Sequence, residues 1–107
     1  VIFRSHLDGS EHIFSPESTI SIERDIGADI IMPIDDCAPY PADDKRLKES
    51  LARTHRWLAE CKKYWLREPR HQHLFGIAQG GVNPLLRADS AKACADLDLP
   101  GYAIGGL

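Results

Sequence analysis

The sequence predicts an α/β protein built on a parallel sheet, and three observations carry that reading. Apolar runs of strand length alternate with longer amphipathic segments in the order strand, helix, strand, helix, strand. Two of the runs, residues 28–36 and 73–79, are apolar on both faces, the pattern of a buried parallel strand. The connections are short, so right-handed crossovers place every C-terminal strand tip on one side of the sheet.

Taken in order, residues 3–14 alternate loosely about Asp8-Gly9-Ser10, which suits a β-hairpin because Asp-Gly tolerates the positive φ of such turns. Ser15-Pro16-Glu17 opens a helix: Ser15 suits the N-cap, Pro16 the first helical position, and Glu17 the positive end of the dipole. Gly27 closes it. The run containing Ile30, Ile31 and Ile34 follows as a strand that ends at Pro39 and Pro41.

The next helix starts at Asp43 or Asp44 and runs to Arg67, with Leu47, Leu51, Thr54, Leu58, Cys61 and Trp65 on one stripe and Pro69 as its stop. Its polar face carries Arg53, Arg56, Lys62, Lys63 and Arg67, either a solvated face balanced by acids or a nucleic-acid contact. His73 to Gln79 forms the second strand and stops at Gly80-Gly81. A third helix follows Asn83-Pro84, with Leu86, Ala93, Cys94 and Leu97 inward. Pro100-Gly101 turns the chain into a third strand from Tyr102.

The 107 residues amount to one domain's worth of sequence or less, and the net charge of −3 selects no partner class. No apolar stretch approaches the roughly 20 residues of a membrane span. The opening Val1-Ile2-Phe3-Arg4 lacks the order of a signal peptide. A cytoplasmic chain with reduced thiols is expected. Cys37, Cys61 and Cys94 are too scattered for a disulfide framework or a complete zinc site.

The strand tips bring together Asp35 with Cys37, then Gln79 with Gly80-Gly81, then Gly105-Gly106, and ligands of parallel α/β folds bind beyond such tips. In an extended segment Asp35 and Cys37 point one way and Asp36 the other. Asp35 and Asp36 serve either as turn caps or as site residues. A carboxylate accepts from a fused N–H and amino group, an amide donates and accepts, and backbone N–H groups donate to a ring carbonyl; guanine's edge offers those partners.

Six ordered blocks carry a resemblance to a known family. They are Phe3-Arg4-Ser5-His6-Leu7-Asp8-Gly9-Ser10; Ser15-Pro16-Glu17; Gly27-Ala28-Asp29-Ile30-Ile31-Met32; Asp35-Asp36-Cys37 with Pro39-Tyr40-Pro41-Ala42; Leu74-Phe75-Gly76-Ile77 with Gln79-Gly80-Gly81; and Gly101-Tyr102-Ala103-Ile104-Gly105-Gly106-Leu107. In this order they resemble the bacterial tRNA-guanine transglycosylases, the queuine tRNA-ribosyltransferases. The resemblance implies a (β/α)8 TIM barrel, of which residues 1–107 would be an internal segment of about three βα units preceded by a β-hairpin.

It also implies an enzyme that exchanges guanine at the anticodon wobble position of tRNA for the queuosine precursor preQ1, through a covalent intermediate on an aspartate. Asp35 would read the Watson–Crick edge of guanine or preQ1, with Cys37 lining the same pocket. Gln79 and the Gly105-Gly106 backbone would bind the base carbonyl, and the Leu107 carbonyl would meet the aminomethyl group of preQ1. Asp36 stands where bacterial members more often carry Glu, and Pro33-Ile34 replaces the usual small residue and Phe. The nucleophile and a structural zinc site would lie on later segments, and the full-length enzyme would be a homodimer. Alternatives are a homologous non-catalytic subunit for tRNA binding or dimerisation, and a different purine-binding barrel enzyme.

Overall fold

The computed structural model describes residues 1–68 and 71–107. At its start, β1 (Ile2–Arg4) and β2 (Glu11–Ile13) pair antiparallel with Arg4 opposite Glu11. The connection is a six-residue loop rather than a tight turn. Gly9 takes a left-handed φ of 74° and Asp8 accepts the Ser10 N–H at 3.0 Å. Phe3 lies edge-on to Phe14 at 5.1 Å, which ties the hairpin back on itself.

Helix α1 (Pro16–Ile26) begins as the sequence requires. Ser15 accepts the Ser18 N–H at 3.2 Å, and Ser18 returns the bond to the Ser15 N–H at 2.8 Å, a capping box with Ser in place of the usual Glu. Gly27 ends it in the left-handed region. Arg24 docks the helix: its guanidinium donates to the carbonyls of Tyr64 and Trp65 at 2.6 and 3.1 Å, carbonyls that α2 (Asp44–Arg67) would otherwise leave unpaired at its C-terminus. Asp43 caps the other end of α2 by accepting from the Arg46 N–H at 2.7 Å. Pro69, expected to stop α2, lies outside the described residues.

The sheet consists of β3 (Ile30–Ile31), β4 (His73–Ala78) and β5 (Gly101–Ile104), parallel and in sequential order. Helix α3 (Pro84–Ala95) joins β4 to β5 and is capped by Asn83, which accepts from the N–H groups of Leu85 and Leu86. Ile20, Ile31, Leu58, Cys61, Leu74, Cys94 and Leu99 form the core between the helices and one sheet face. Burial pushes the Cys61 thiol up to about 11 and raises Cys94 as well; all three cysteines are free thiols. Among the described residues no helix is long and apolar enough to cross a membrane.

Two expectations change. The strand expected over residues 28–36 holds a ladder at only Ile30 and Ile31, and Ile30 is 51% exposed rather than buried. The register explains this: Ile31 pairs with Leu74 on the helix-covered face, so Ile30 and its partner His73 point to the opposite face. In α3 the fully buried position is Ser90, alongside Cys94, whereas Leu86 and Ala93 are only half-buried; Leu97 lies past the end of the helix and packs against the core, half-buried.

Gly80 fixes how the tip of β4 meets α3. Its φ is 130°, and a Cβ there would lie 2.8 Å from the Arg87 backbone nitrogen and 3.0 Å from the Leu86 carbonyl carbon. Both the conformation and the space demand glycine. Gly80→Ala in the full-length protein is therefore expected to destabilise the fold by about 1–3 kcal/mol. A urea-unfolding midpoint equal to that of the unaltered protein would contradict this placement.

Candidate functional site

The segment that follows β3 is anchored through Asp36. Its carboxylate receives a fork from Arg46, Nη2 to Oδ1 at 2.7 Å and Nη1 to Oδ2 at 2.9 Å, and a further bond from Arg53 to Oδ2. Its backbone is held by the same helix: the N–H donates to Thr54 Oγ1 at 2.9 Å, and the carbonyl accepts from the Ser50 hydroxyl. The side chain is only 14% exposed. Hydrogen bonding from Arg46, with the charges of Arg46 and Arg53, holds the Asp36 carboxyl below the ordinary carboxylate value, against the burial that would raise it.

With Asp36 held by α2, Asp35 turns to the tip of β4 and Cys37 to a cavity. Asp35 Oδ2 accepts from Gln79 Nε2 at 2.6 Å, joining the tips of β3 and β4. Gln79 is 4% exposed, and its backbone N–H donates to Ser90 Oγ at 3.0 Å. His55 Nε2 lies 2.9 Å from the same hydroxyl, with its pKa lowered by burial. Ser90 thus satisfies one group from β4 and one from α2.

The third tip closes against this pair. A Cβ on Gly105 would sit 2.6 Å from Gln79 Nε2, and one on Gly106 would sit 2.4 Å from Gln79 Oε1 and 3.4 Å from Cys37 Sγ. Side chains at 105 and 106 would displace the Gln79 carboxamide. Cys37, Gly106 and Leu107 line a cavity of ≈ 340 Å³ together with Tyr40, Leu47 and Val82. Asp35, Gln79 and Gly105 stand outside that lining, interlocked beside it. The six residues singled out in the sequence therefore converge on one end of the sheet, three on the cavity and three next to it.

The basic face of α2 divides. Arg53 serves Asp36, Lys62 donates to the Leu97 carbonyl, and Arg67 lies over the Tyr64 ring at 4.4 Å. Arg56 and Lys63 are exposed. Among the described residues no group of three His, Cys, Asp or Glu side chains is placed to hold a metal ion.

Sequence reading missed Arg46, Ser50, Arg87 and Ser90. A signal existed: Arg46, Ser50, Arg53 and Thr54 share one helical face, and Ser90 interrupts the inward spacing between Leu86 and Cys94. A polar residue inside an inward stripe marks a partner that the stripe itself does not name.

Because the folded pKa of Asp36 is depressed, its contribution to stability is complete above the ordinary value of 3.8 and is lost as pH falls through the lower folded value. Asp36→Asn is expected to cost about 2 kcal/mol at neutral pH. It should also flatten the fall in stability below pH 3.8. Denaturant titrations across that range check both effects, and an unchanged acid limb in the variant would contradict the arrangement.

The family model described as queuine tRNA-ribosyltransferase matches residues 1–107. Over all 107 residues the chain is 56% identical to a queuine tRNA-ribosyltransferase of Ruminiclostridium cellulolyticum, 53% to one of Leptospira biflexa, and 56% to one of Acetivibrio thermocellus. It is covered completely in each case and spans 28%, 29% and 28% of these relatives.

Proposed function

The chain belongs to the queuine tRNA-ribosyltransferase family, and on that premise we propose that it forms the base-reading wall of a tRNA-guanine transglycosylase with a (β/α)8 barrel. The sequential parallel order β3-β4-β5 supports the barrel, because the helices that accompany it pack into one core on one face. A doubly wound sheet would carry helices on both.

The observation that carries the functional reading is the Gln79 Nε2 to Asp35 Oδ2 bond of 2.6 Å, closed over by Gly105 and Gly106. A carboxylate and a carboxamide already in register at one end of the sheet can each turn a polar atom to the edge of a planar base. Asp35 accepts from the fused N–H and amino group of guanine or preQ1. Gln79 and the Gly106 N–H donate to the ring carbonyl, and the Leu107 carbonyl accepts from an aminomethyl substituent. Cys37 bounds the same space.

In this reading no aspartate of the chain attacks the ribose. Asp36 is committed to two arginines, and Asp35 reads the base. Asp35 and Gln79 hold the leaving or entering base while a nucleophilic aspartate elsewhere in the enzyme bonds to the ribose C1′ as the bond to guanine breaks. Zinc, implied by the family, would be held by residues outside this chain. tRNA with a wobble guanine, homodimerisation and a cytoplasmic setting belong to the same proposal.

Asp35→Ala in the full-length enzyme tests the reading. Loss of charge-assisted bonds to the base is expected to lower incorporation of labelled guanine into tRNA by about a hundredfold or more, with an unchanged circular dichroism spectrum. Near-normal incorporation would overturn the assignment.

A further inference from the structure

We propose that Arg87 is a positioning residue that aims the Gly106 N–H at the base carbonyl, an inference that rests on the base-reading role of this site. Arg87 lies in the first turns of α3, and its own N–H bonds the Asn83 carbonyl at 3.0 Å. The guanidinium Nη1 donates to the carbonyls of Gly81 at 3.0 Å and Gly105 at 3.1 Å, and Nη2 reaches the Ala78 carbonyl at 3.4 Å. One cation therefore spans the tips of both β4 and β5. The Gly105 N–H separately donates to the Ala78 carbonyl at 3.0 Å, so both backbone polar groups of Gly105 are fixed.

The consequence follows from peptide geometry. In a trans peptide the N–H of the next residue points opposite to the carbonyl. With the Gly105 carbonyl turned to Arg87, the Gly106 N–H points away from the guanidinium. Gly106 itself borders Gln79 Oε1 and Cys37 Sγ. Its φ of 66° gives the chain no intrinsic preference that would hold this orientation, because glycine is free to leave it. Arg87 supplies what the glycines lack. A cation on the carbonyl also polarises the amide, which makes the attached N–H a stronger donor.

Gly80 sets the distance. The Arg87 backbone occupies the space that a Cβ on Gly80 would need, which brings the root of the Arg87 side chain against the β4 tip. From there the planar fork reaches three carbonyls, whereas a lysine ammonium, a point donor on a flexible stem, would not hold the same set.

The experiment is equilibrium binding of labelled guanine to the full-length enzyme carrying Arg87→Lys, Arg87→Ala or Asp35→Ala, with melting temperatures in parallel. A purely structural role would lower the melting temperature and the number of binding-competent sites at unchanged Kd. The positioning role raises Kd at unchanged stoichiometry. Arg87→Lys is expected to weaken guanine binding about tenfold with full stoichiometry, and Arg87→Ala at least as much. If Asp35→Ala abolishes binding while both Arg87 variants keep the parent Kd, the Arg87 inference falls and the base-reading role stands. If Asp35→Ala binds normally, the base-reading role falls first. Should Arg87→Ala not fold, Arg87→Lys decides, and failure of both to fold would overturn the inference in favour of a structural role.

Discussion

The grip of α2 on Asp36 is the constraint from which the site's geometry follows. Beyond Ile31 the first sheet strand has no ladder partner, so nothing in the sheet itself fixes which way residues 35–37 face. The two arginines, with Ser50 and Thr54, hold side chain and backbone of one residue together. With Asp36 committed to the helix side, Asp35 meets Gln79 and Cys37 borders the cavity. Asp36 is thus a mooring point, and its neighbour Asp35 is left to face Gln79.

The same logic repeats at the other tips. Leu58, Cys61, Leu74 and Ile31 supply an apolar core across the body of the sheet, and near the tips three buried hydroxyls, Ser50, Thr54 and Ser90, sit among the inward positions. Buried hydroxyls are costly unless bonded. Each of these bonds a backbone group of Asp36 or Gln79. The inner faces of α2 and α3 therefore add polar fastening to their apolar packing at the end of the sheet where the candidate site lies. Arg87 extends that fastening to Gly105.

Much of this was legible in the sequence because it is local. Ser15, Gly27 and Asn83 mark helix ends through their own backbone bonds, and the stripe from Leu47 to Cys61 marks the buried face of α2. Alternation had Asp35 and Asp36 pointing apart, and they do meet different partners, although the strand it assumes ends at Ile31. The partners did not follow. That Asp36 belongs to Arg46 and Arg53, and that Arg87 reaches across to Gly105, depends on how helices dock, which no spacing encodes. Ile30 was misjudged for a related reason: an apolar residue in an apolar run gives no sign that its face of the sheet is left uncovered.

The most direct measurement of the central claim is guanine affinity of the full-length enzyme carrying Arg46→Ala and Arg53→Ala together, with Asp35, Cys37 and Gln79 untouched. If the grip on Asp36 is what presents Asp35, the double variant should bind guanine at least about tenfold more weakly while retaining its folded secondary structure. Parent-like affinity in a folded double variant would contradict the account, since Asp35 would then hold its place without the anchor beside it.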